Sequence, residues 1–589
     1  MQIAWKVKLP VILKSGILGE WPYLMLPSFF FLLFLVWTSL DRTIPMWDAA
    51  YHLADGYSTR DLLLEHICLK KKLLAILKIS TWYPPLFQWV LCFFLLMPVP
   101  SSLAERLPAI AFYGIGIFAI YRLGRLLCND PTIASVAASI YATIPVVCTC
   151  THSRGLLDTP LTSMCMLAIW LMARWNLSQT LANSLILGLA VGLTCLTKQT
   201  GILYLMPPVI LLVIQRIRLG DFAALKKLTY GLALGGVLYL SWFLPNLYGI
   251  RKELDQWVDS FSYLGSGLPL WFRQMNFYLI DKAPKCLSLP LTIVFVVSLF
   301  NLRAQRNLRL PASTFIGFFI LCAFCWDART FRYALPIVGY ISLSSAALLV
   351  DFWRSGRVLL KAFDISFAVY LLALYFSISF TPYPFPRPNL AYALGLNFVG
   401  LGCVCAGCFP AWPWIERPAG YDWLINEFAS EKVENRSDLM LGSNREYPPY
   451  EKVTQYVMST HLPRPIIVML GPNVEFYSIE YLARLRALPV IFTPLVEPRS
   501  GMRLFYDPGP DWLLTRKEDV DFTLARLTIG FGKFRGAKRF VKVGECEVYD
   551  PYLFPPRVNT LVLYRNMPSK QNSGNLHFTT RGAGKSLSP

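Results

Sequence analysis

Ile44-Pro45-Met46-Trp47-Asp48-Ala49-Ala50-Tyr51-His52-Leu53-Ala54-Asp55 follows the first strongly apolar run of the chain, Pro22 to Leu40. That run is long enough to cross a bilayer. A carboxylate placed just beyond a first span, beside aromatics and a histidine, is unusual at a membrane surface. On a helix Asp48, Tyr51, His52 and Asp55 fall at i, i+3, i+4 and i+7 and share one face. Taken alone, the stretch also reads as an ordinary polar loop leaving a membrane, and the rest of the chain decides between the two.

Working outward, 55% of the 589 residues are hydrophobic and only 16% are charged, and the mean hydropathy is +0.44. A soluble globular chain carries nearer a quarter charged residues, so this is a multi-pass membrane protein. The net charge of +20 does not form one patch. Basic residues sit in short clusters between apolar runs, as cytoplasmic loops do, which argues against nucleic acid. Most of the 14 cysteines lie in apolar runs, where cysteine acts as a small hydrophobe. The CxxC pairs Cys322/Cys325 and Cys405/Cys408 lie far apart without histidines at ligand spacing. Neither a zinc site nor a disulfide framework is expected. Lys6, Lys8 and Lys14 precede the first span, which reads as a retained anchor with its N-terminus inside.

Between Asp41 and Glu105 lie Asp48, the run Lys70-Lys71-Lys72, and Thr81-Trp82-Tyr83-Pro84-Pro85-Leu86-Phe87-Gln88-Trp89. Leu86 to Met97 is too short to cross and reads as a helix at the outer face. Later apolar runs include Leu107–Leu127, Ile133–Cys150, Pro160–Ala173, Leu181–Leu196, Ile202–Ile214 and Leu228–Phe243. Leu287–Phe300, Ala312–Trp326, Ala334–Val350, Phe363–Phe380 and Ala391–Phe409 follow. If Leu86–Met97 does not cross, the linkers holding Arg122/Arg125, Arg174, Arg216/Arg218, Arg303/Arg306/Arg309 and Arg354/Arg357 all fall inside. Asp48, Arg154–Asp158, Lys198 and Asp327–Tyr333 then share the outer side. Beyond Pro410, strands at Pro465–Gly471, Pro489–Thr493, Trp512–Thr515, Phe540–Tyr549 and Val558–Tyr564, with a helix at Glu475–Ala487, predict a small α/β domain. Residues 566–589 read as a polar, disordered tail.

Each outward ionisable group also admits a structural role. Arg154 and Asp158 stand i, i+4 and could pair on a helix, with a loop-closing ion pair as the plain alternative. Lys198, in Thr194-Cys195-Leu196-Thr197-Lys198-Gln199-Thr200-Gly201, reads on its own as a snorkelling lysine. Arg329 and Arg332, three apart at a span end, would project together as an anionic phosphate requires. A helix-end anchor is the alternative there. No Gly-rich phosphate loop, zincin or G-x-S-x-G motif is present.

An Asp-bearing W-D-x-x-Y-H stretch after a span, Y-P-P-L-F-x-W, Ala104-Glu105-Arg106-Leu107-Pro108-Ala109, S-R-G-L-L-D-T-P-L-T, G-L-x-x-L-T-K and F-R-Y-A-L-P occur in that order. The chain thereby resembles the GT-C superfamily of integral-membrane glycosyltransferases, in the branch of protein O-mannosyltransferases and the lipid A aminoarabinose transferase. The resemblance covers about residues 20 to 350. It implies an α-helical multi-pass membrane protein of GT-C fold with about 11–13 transmembrane helices and a small C-terminal α/β domain. The domains would be 1–410 in the membrane, with 41–105 as the catalytic outer loop, and 411–565 soluble.

The resemblance also implies a polyprenyl-phosphate sugar donor, a lipid, glycan or protein acceptor, and a site at the outer face of the cell membrane. Asp48 matches the catalytic Asp and Asp158 the second-loop Asp. Arg329 and Arg332, with Lys198 and Arg154, would hold donor phosphate, and Tyr51, His52, Tyr83 and Tyr333 would line the substrate. Ala49 stands where relatives often carry Glu, and Tyr83 where they often carry a basic residue before the prolines. Lys70 to Lys72 or Lys198 would substitute for that basic residue. No metal ligand set is assigned, a divalent metal stays open, and no other cofactor is expected. In an inverting transfer Asp48 would take the acceptor's proton, since a carboxylate at a bilayer edge can titrate nearer working pH. Cations would stabilise the leaving lipid phosphate. The alternative is a transporter or flippase of a lipid-linked sugar. The C-terminal domain is placed outside, with Ala391–Phe409 lying at the outer surface or re-entering.

Overall fold

The computed structural model describes residues 17–40, 47–66, 68–80, 82–152, 155–261, 275, 278, 283, 287–324 and 331–380, and the strands within 466–566. The chain divides into two compact units, one of residues 1–43, 55–428 and 435–442, the other of residues 44–54, 429–434 and 443–589.

The first unit is helical. Its elements are α1 Ile17–Leu40, α2 Trp47–Leu64 (whose first turns belong to the second unit), α3 Leu69–Leu77, α4 Leu86–Leu95 and α5 Ser101–Ala104. Then come α6 Leu107–Cys128, α7 Pro131–Thr143, α8 Pro145–His152, α9 Asp158–Leu177, α10 Leu181–Thr197, α11 Gly201–Arg218 and α12 Phe222–Phe261. α13 Leu289–Ser298, α14 Leu302–Asn307 and α15 Arg309–Phe324 precede a 3₁₀ segment, Phe331–Ile337. α16 Val338–Arg354 and α17 Val358–Phe380 complete it.

Among the described residues, five single segments are long and apolar enough to cross a membrane: Glu20–Ser39, Leu107–Cys128, Gly201–Arg218, Phe222–Arg251 and Arg332–Arg354. The run Ile133–Cys150 is covered by α7 and α8, which together are long and apolar enough to cross and are bent by 61° between them. Pro145 forces that break, because it cannot donate into the helix behind it. Leu228–Phe243 is only the middle of α12, which is 40 residues long. α4, at 10 residues, spans about 15 Å at 1.5 Å per residue, half a hydrocarbon core. That agrees with reading it as non-crossing.

α16 is the central post, buried from Val338 through Val350. α7 and α6 pack beside it; a Cβ on Gly124 would stand 2.9 Å from the Ala134 Cα, so α6 and α7 meet backbone to backbone. α10 and α12 also meet backbone to backbone. A Cβ on Gly188 would come within 1.7 Å of the Gly231 carbonyl oxygen, and one on Gly235 within 2.4 Å of the Gly188 oxygen. Small residues four apart let helices approach this way in lipid, where apolar burial gives no preference for protein over tails. The outward sides of the helices carry exposed large apolar residues, among them Leu32, Val237 and Ile320, as lipid-facing surfaces do.

The second unit holds a five-stranded sheet of order β2-β1-β3-β5-β4: β1 Ile466–Leu470, β2 Val490–Pro494, β3 Trp512–Arg516, β4 Phe540–Asp550 and β5 Arg557–Asn566. β1 pairs in parallel with β2 and β3, while β5 runs antiparallel to β3 and β4. Each strand overlaps a stretch read as a strand from sequence, and the parallel β1–β2 pair requires a crossover between them. The helix expected at Glu475–Ala487, the run Ala391–Phe409 and the tail beyond Asn566 lie outside the described residues.

Candidate functional site

α6 returns from the end of the bundle that α1 reaches, α7 and α8 go back to it, and α9 and α11 leave from it. The chain therefore gathers the α8–α9 connection, the α10–α11 connection and the start of the 3₁₀ segment at one end. The sequence places its ionisable residues in those three connections.

Asp158 opens α9 and is buried. Its Oδ1 accepts from Lys198 Nζ at 2.8 Å, and its Oδ2 lies 4.0 Å from an Arg332 guanidinium nitrogen. Both carboxylate oxygens face a cation. Lys198, at the end of α10, is 5% exposed. Its ammonium also stands over the Tyr333 ring, 4.8 Å from the centroid, and Arg332 sits over the same ring at 5.7 Å. The Tyr204 hydroxyl of α11 donates to the Tyr333 carbonyl oxygen, tying the 3₁₀ segment to the bundle. Among the described residues, one carboxylate meets two cations in a largely dry setting, and two cations brought together suit an anion. Among the described residues, no three His, Cys, Asp or Glu side chains come together.

Lys198 does not snorkel; it is buried, and burial of an ammonium without a partner is costly enough that the Asp158 contact is structurally required. α9 starts at Asp158, after Gly155 at φ +100°. Arg154 and Arg329 lie outside the described residues.

The wall beside the cluster was not singled out from the sequence. His152 at the end of α8 stacks on Trp37 of α1, with ring centroids 3.9 Å apart, and on Phe34 at 5.7 Å. Thr151 and Thr159 hydroxyls meet at 3.1 Å across the α8–α9 turn. The signal was available in Thr151-His152 preceding Ser153-Arg154-Gly155, although nothing local says that the partner is a tryptophan on α1.

The paired-proline turn before α4 is held from α12. Trp242 Nε1 donates to the Ser80 carbonyl at 3.3 Å and Asn246 Nδ2 to the Leu77 carbonyl at 2.8 Å, while the Tyr83 N–H donates to Ser80 Oγ at 3.1 Å. Tyr83 is half-buried. Lys70 and Lys71 on α3 are exposed, and Lys72 Nζ donates to the Leu63 carbonyl at 2.6 Å. Tyr57, farther along α2, donates its hydroxyl to Glu105 Oε1 at 2.5 Å. Burial, then the Glu105 charge, pushes that hydroxyl far above its ordinary pKa, so it stays a donor.

Asp48 stands in the first turn of α2, which makes the shared-face spacing real for the backbone; its side chain is outside the described set. Tyr51 is half-buried and His52 is buried, their rings 5.3 Å apart.

Residues 83–248 match the family described as dolichyl-phosphate-mannose-protein mannosyltransferase. The fold is similar to that of ArnT from Cupriavidus metallidurans bound to undecaprenyl phosphate: TM-score 0.51, 13% identity, over 93% of this chain and 99% of that one. The apo state of ArnT from the same organism matches with TM-score 0.51 and 14% identity, over 92% and 97%. No curated protein matches the chain. The expected GT-C-type membrane fold is therefore present.

Proposed function

We propose that this chain is an inverting glycosyltransferase, moving a sugar from a polyprenyl-phosphate donor to a hydroxyl of a lipid, glycan or protein acceptor at the outer membrane face. The observation that carries the reading is the buried Lys198–Asp158 pair with Arg332 at its open side. A phosphodiester that links a sugar to a lipid bears one negative charge, and Lys198 and Arg332 bring two cations to one place. ArnT, which shares the fold, was solved with undecaprenyl phosphate, and that class of lipid phosphate fits here.

In this reading the donor phosphate seats against Lys198 and Arg332. Asp158, with both oxygens engaged, positions the two cations. As the bond from the anomeric carbon to the phosphate oxygen breaks, charge grows on that oxygen, and preset cations in a dry site stabilise it most. Asp48, matched to the catalytic aspartate through the W-D-x-x-Y-H stretch, takes the proton from the attacking hydroxyl. One displacement inverts the anomeric centre.

The test is binding of undecaprenyl phosphate to the full-length protein in nanodiscs. Arg332→Gln should weaken it about tenfold or more, the scale of one charge-assisted hydrogen bond. Unchanged affinity would remove Arg332 and this cluster from the donor site.

A further inference from the structure

α3 carries charge and apolar surface that the cluster around Asp158 does not use. Between Glu65 and Glu105 the chain has no carboxylate, while Lys70, Lys71, Lys72 and Lys78 fall on α3 or one residue past its end. The helix has nine residues, and Ile76 is the one that is buried. Its open side interleaves leucines and lysines. Leu69 is 80% exposed, Leu73 57% and Leu74 48%, and Lys70 and Lys71 are exposed beside them. Leu74 stands i+4 from Lys70 and i+3 from Lys71, so an exposed leucine lies between two ammonium groups on the helix surface. Lys72 Nζ, bonded to the Leu63 carbonyl, holds the end of α2 alongside, where Leu63 and Leu64 are exposed as well.

The bonds to α12 set the depth of this surface. The Phe222–Arg251 stretch of α12 is 30 residues long and apolar enough to cross, about 45 Å at 1.5 Å per residue, the thickness of a bilayer with its headgroups. α3 is fixed near one end of that stretch, where Asn246 bonds the Leu77 carbonyl and Trp242 the Ser80 carbonyl. Asn246 falls about 36 Å from Phe222, at the edge of a hydrocarbon core of about 30 Å centred on the stretch. Exposed leucines at that depth meet the boundary between acyl chains and headgroups. A nine-residue helix is marginal in water, and Ile76 alone gives it a small anchorage, so lipid supplies the second apolar surface it needs. The charge fits the same partner. In the topology that the basic linkers predict, this loop faces outside, where lysines are otherwise disfavoured; a run of lysines without carboxylates at a bilayer surface matches anionic headgroups.

We infer that α3, with the end of α2, is a docking surface for a bilayer leaflet carrying anionic phospholipid headgroups. Leu69, Leu73 and Leu74 enter the acyl boundary. The stems of Lys70 and Lys71 lie along them, and their ammonium groups reach the headgroup phosphates. Docking pins to the membrane the segment that leads into Tyr83-Pro84-Pro85. The inference stands without the donor-phosphate reading above.

The experiment uses full-length protein with p-benzoylphenylalanine in place of Leu74, in nanodiscs of equal parts phosphatidylcholine and phosphatidylglycerol. After irradiation, adducts are read by mass spectrometry. Phospholipid adducts should dominate, with phosphatidylglycerol ahead of phosphatidylcholine about fivefold, the scale of one lysine at an anionic surface. Lys70→Gln combined with Lys71→Gln should bring the two lipids close to parity while phospholipid remains the main adduct, because the leucines are still there. Adducts to protein would place a second copy or another part of the chain over α3 and overturn the docking surface, as would the absence of any lipid adduct. Parity before the lysines are removed, or a preference that survives their removal, overturns the role given to Lys70 and Lys71. Undecaprenyl phosphate added as a minor lipid and captured in place of phosphatidylglycerol would assign the surface to a polyprenyl phosphate and overturn the inference too. Thermal unfolding near that of the parent shows that the substitutions have not disturbed the fold.

Discussion

Lys198 and Asp158, forty residues apart in sequence, form one buried contact, Nζ to Oδ1 at 2.8 Å. Neither side chain is more than 7% exposed, so each is the other's main compensation for lost water. Removing one partner strands the other. Asp158→Ala or Lys198→Ala should each destabilise the protein by about 3–5 kcal/mol, seen as a clear drop in thermal unfolding temperature in detergent. The double variant should recover part of that loss. Additive losses would show that the pair carries no mutual energy.

Arg332 occupies the same cluster differently. Its side chain is 26% exposed and 4.0 Å from Asp158, so water and the Tyr333 ring share its charge. Arg332→Gln should leave the unfolding free energy within about 0.5 kcal/mol of the parent, as for other partly exposed pairs, while turnover collapses. A stability loss as large as that of Lys198→Ala would mark Arg332 as structural.

The α10–α12 seam tests the fold. With the Gly231 carbonyl oxygen 1.7 Å from where a Cβ on Gly188 would lie, no rotamer relieves a larger residue. Gly188→Leu should abolish accumulation of folded protein, a cost above the ~3 kcal/mol of ordinary overpacking. Gly236→Leu on α12, where nothing stands within 4 Å of the added Cβ, should accumulate normally. Fluorescence size-exclusion of tagged protein separates the two.

Asp130 supplies a pH test. It caps α7 through the Thr132 and Ile133 amides and binds Arg354 at 2.5 Å. Burial pushes its carboxyl up, but the Arg354 hydrogen bond and the two amides outweigh that and hold it below its ordinary pKa. A carboxylate depressed in the folded state adds stability above the unfolded pKa, about 3.9, and loses it as pH falls through the folded value. Thermal stability should therefore drop below about pH 4, and Asp130→Asn, which keeps the cap but removes the charge facing Arg354, should flatten that drop while lowering stability near neutrality by about 0.5–1 kcal/mol. An unchanged acid limb would exclude Asp130.

Much of this was legible because it is local. Apolar length separated α4 from the spans, alternation and turn residues marked the five strands, and the short motifs pointed to Asp158, Lys198 and Arg332. The pairing was not legible. Lys198 looked like a snorkelling residue because nothing near it in sequence is acidic, and its carboxylate comes from another helix. The bend at Pro145 was written in the sequence, but an apolar run that long reads as one span.

The most direct test is covalent transfer. Full-length protein in proteoliposomes would receive a polyprenyl-phosphate sugar labelled in the sugar, with membrane extract as acceptor source. Label should move to a new product with inverted anomeric configuration, and Asp48→Asn, inserted at parent levels, should form none. Label that crosses the bilayer on its original lipid without changing carrier, in parent and variant alike, would contradict a transferase and identify a transporter.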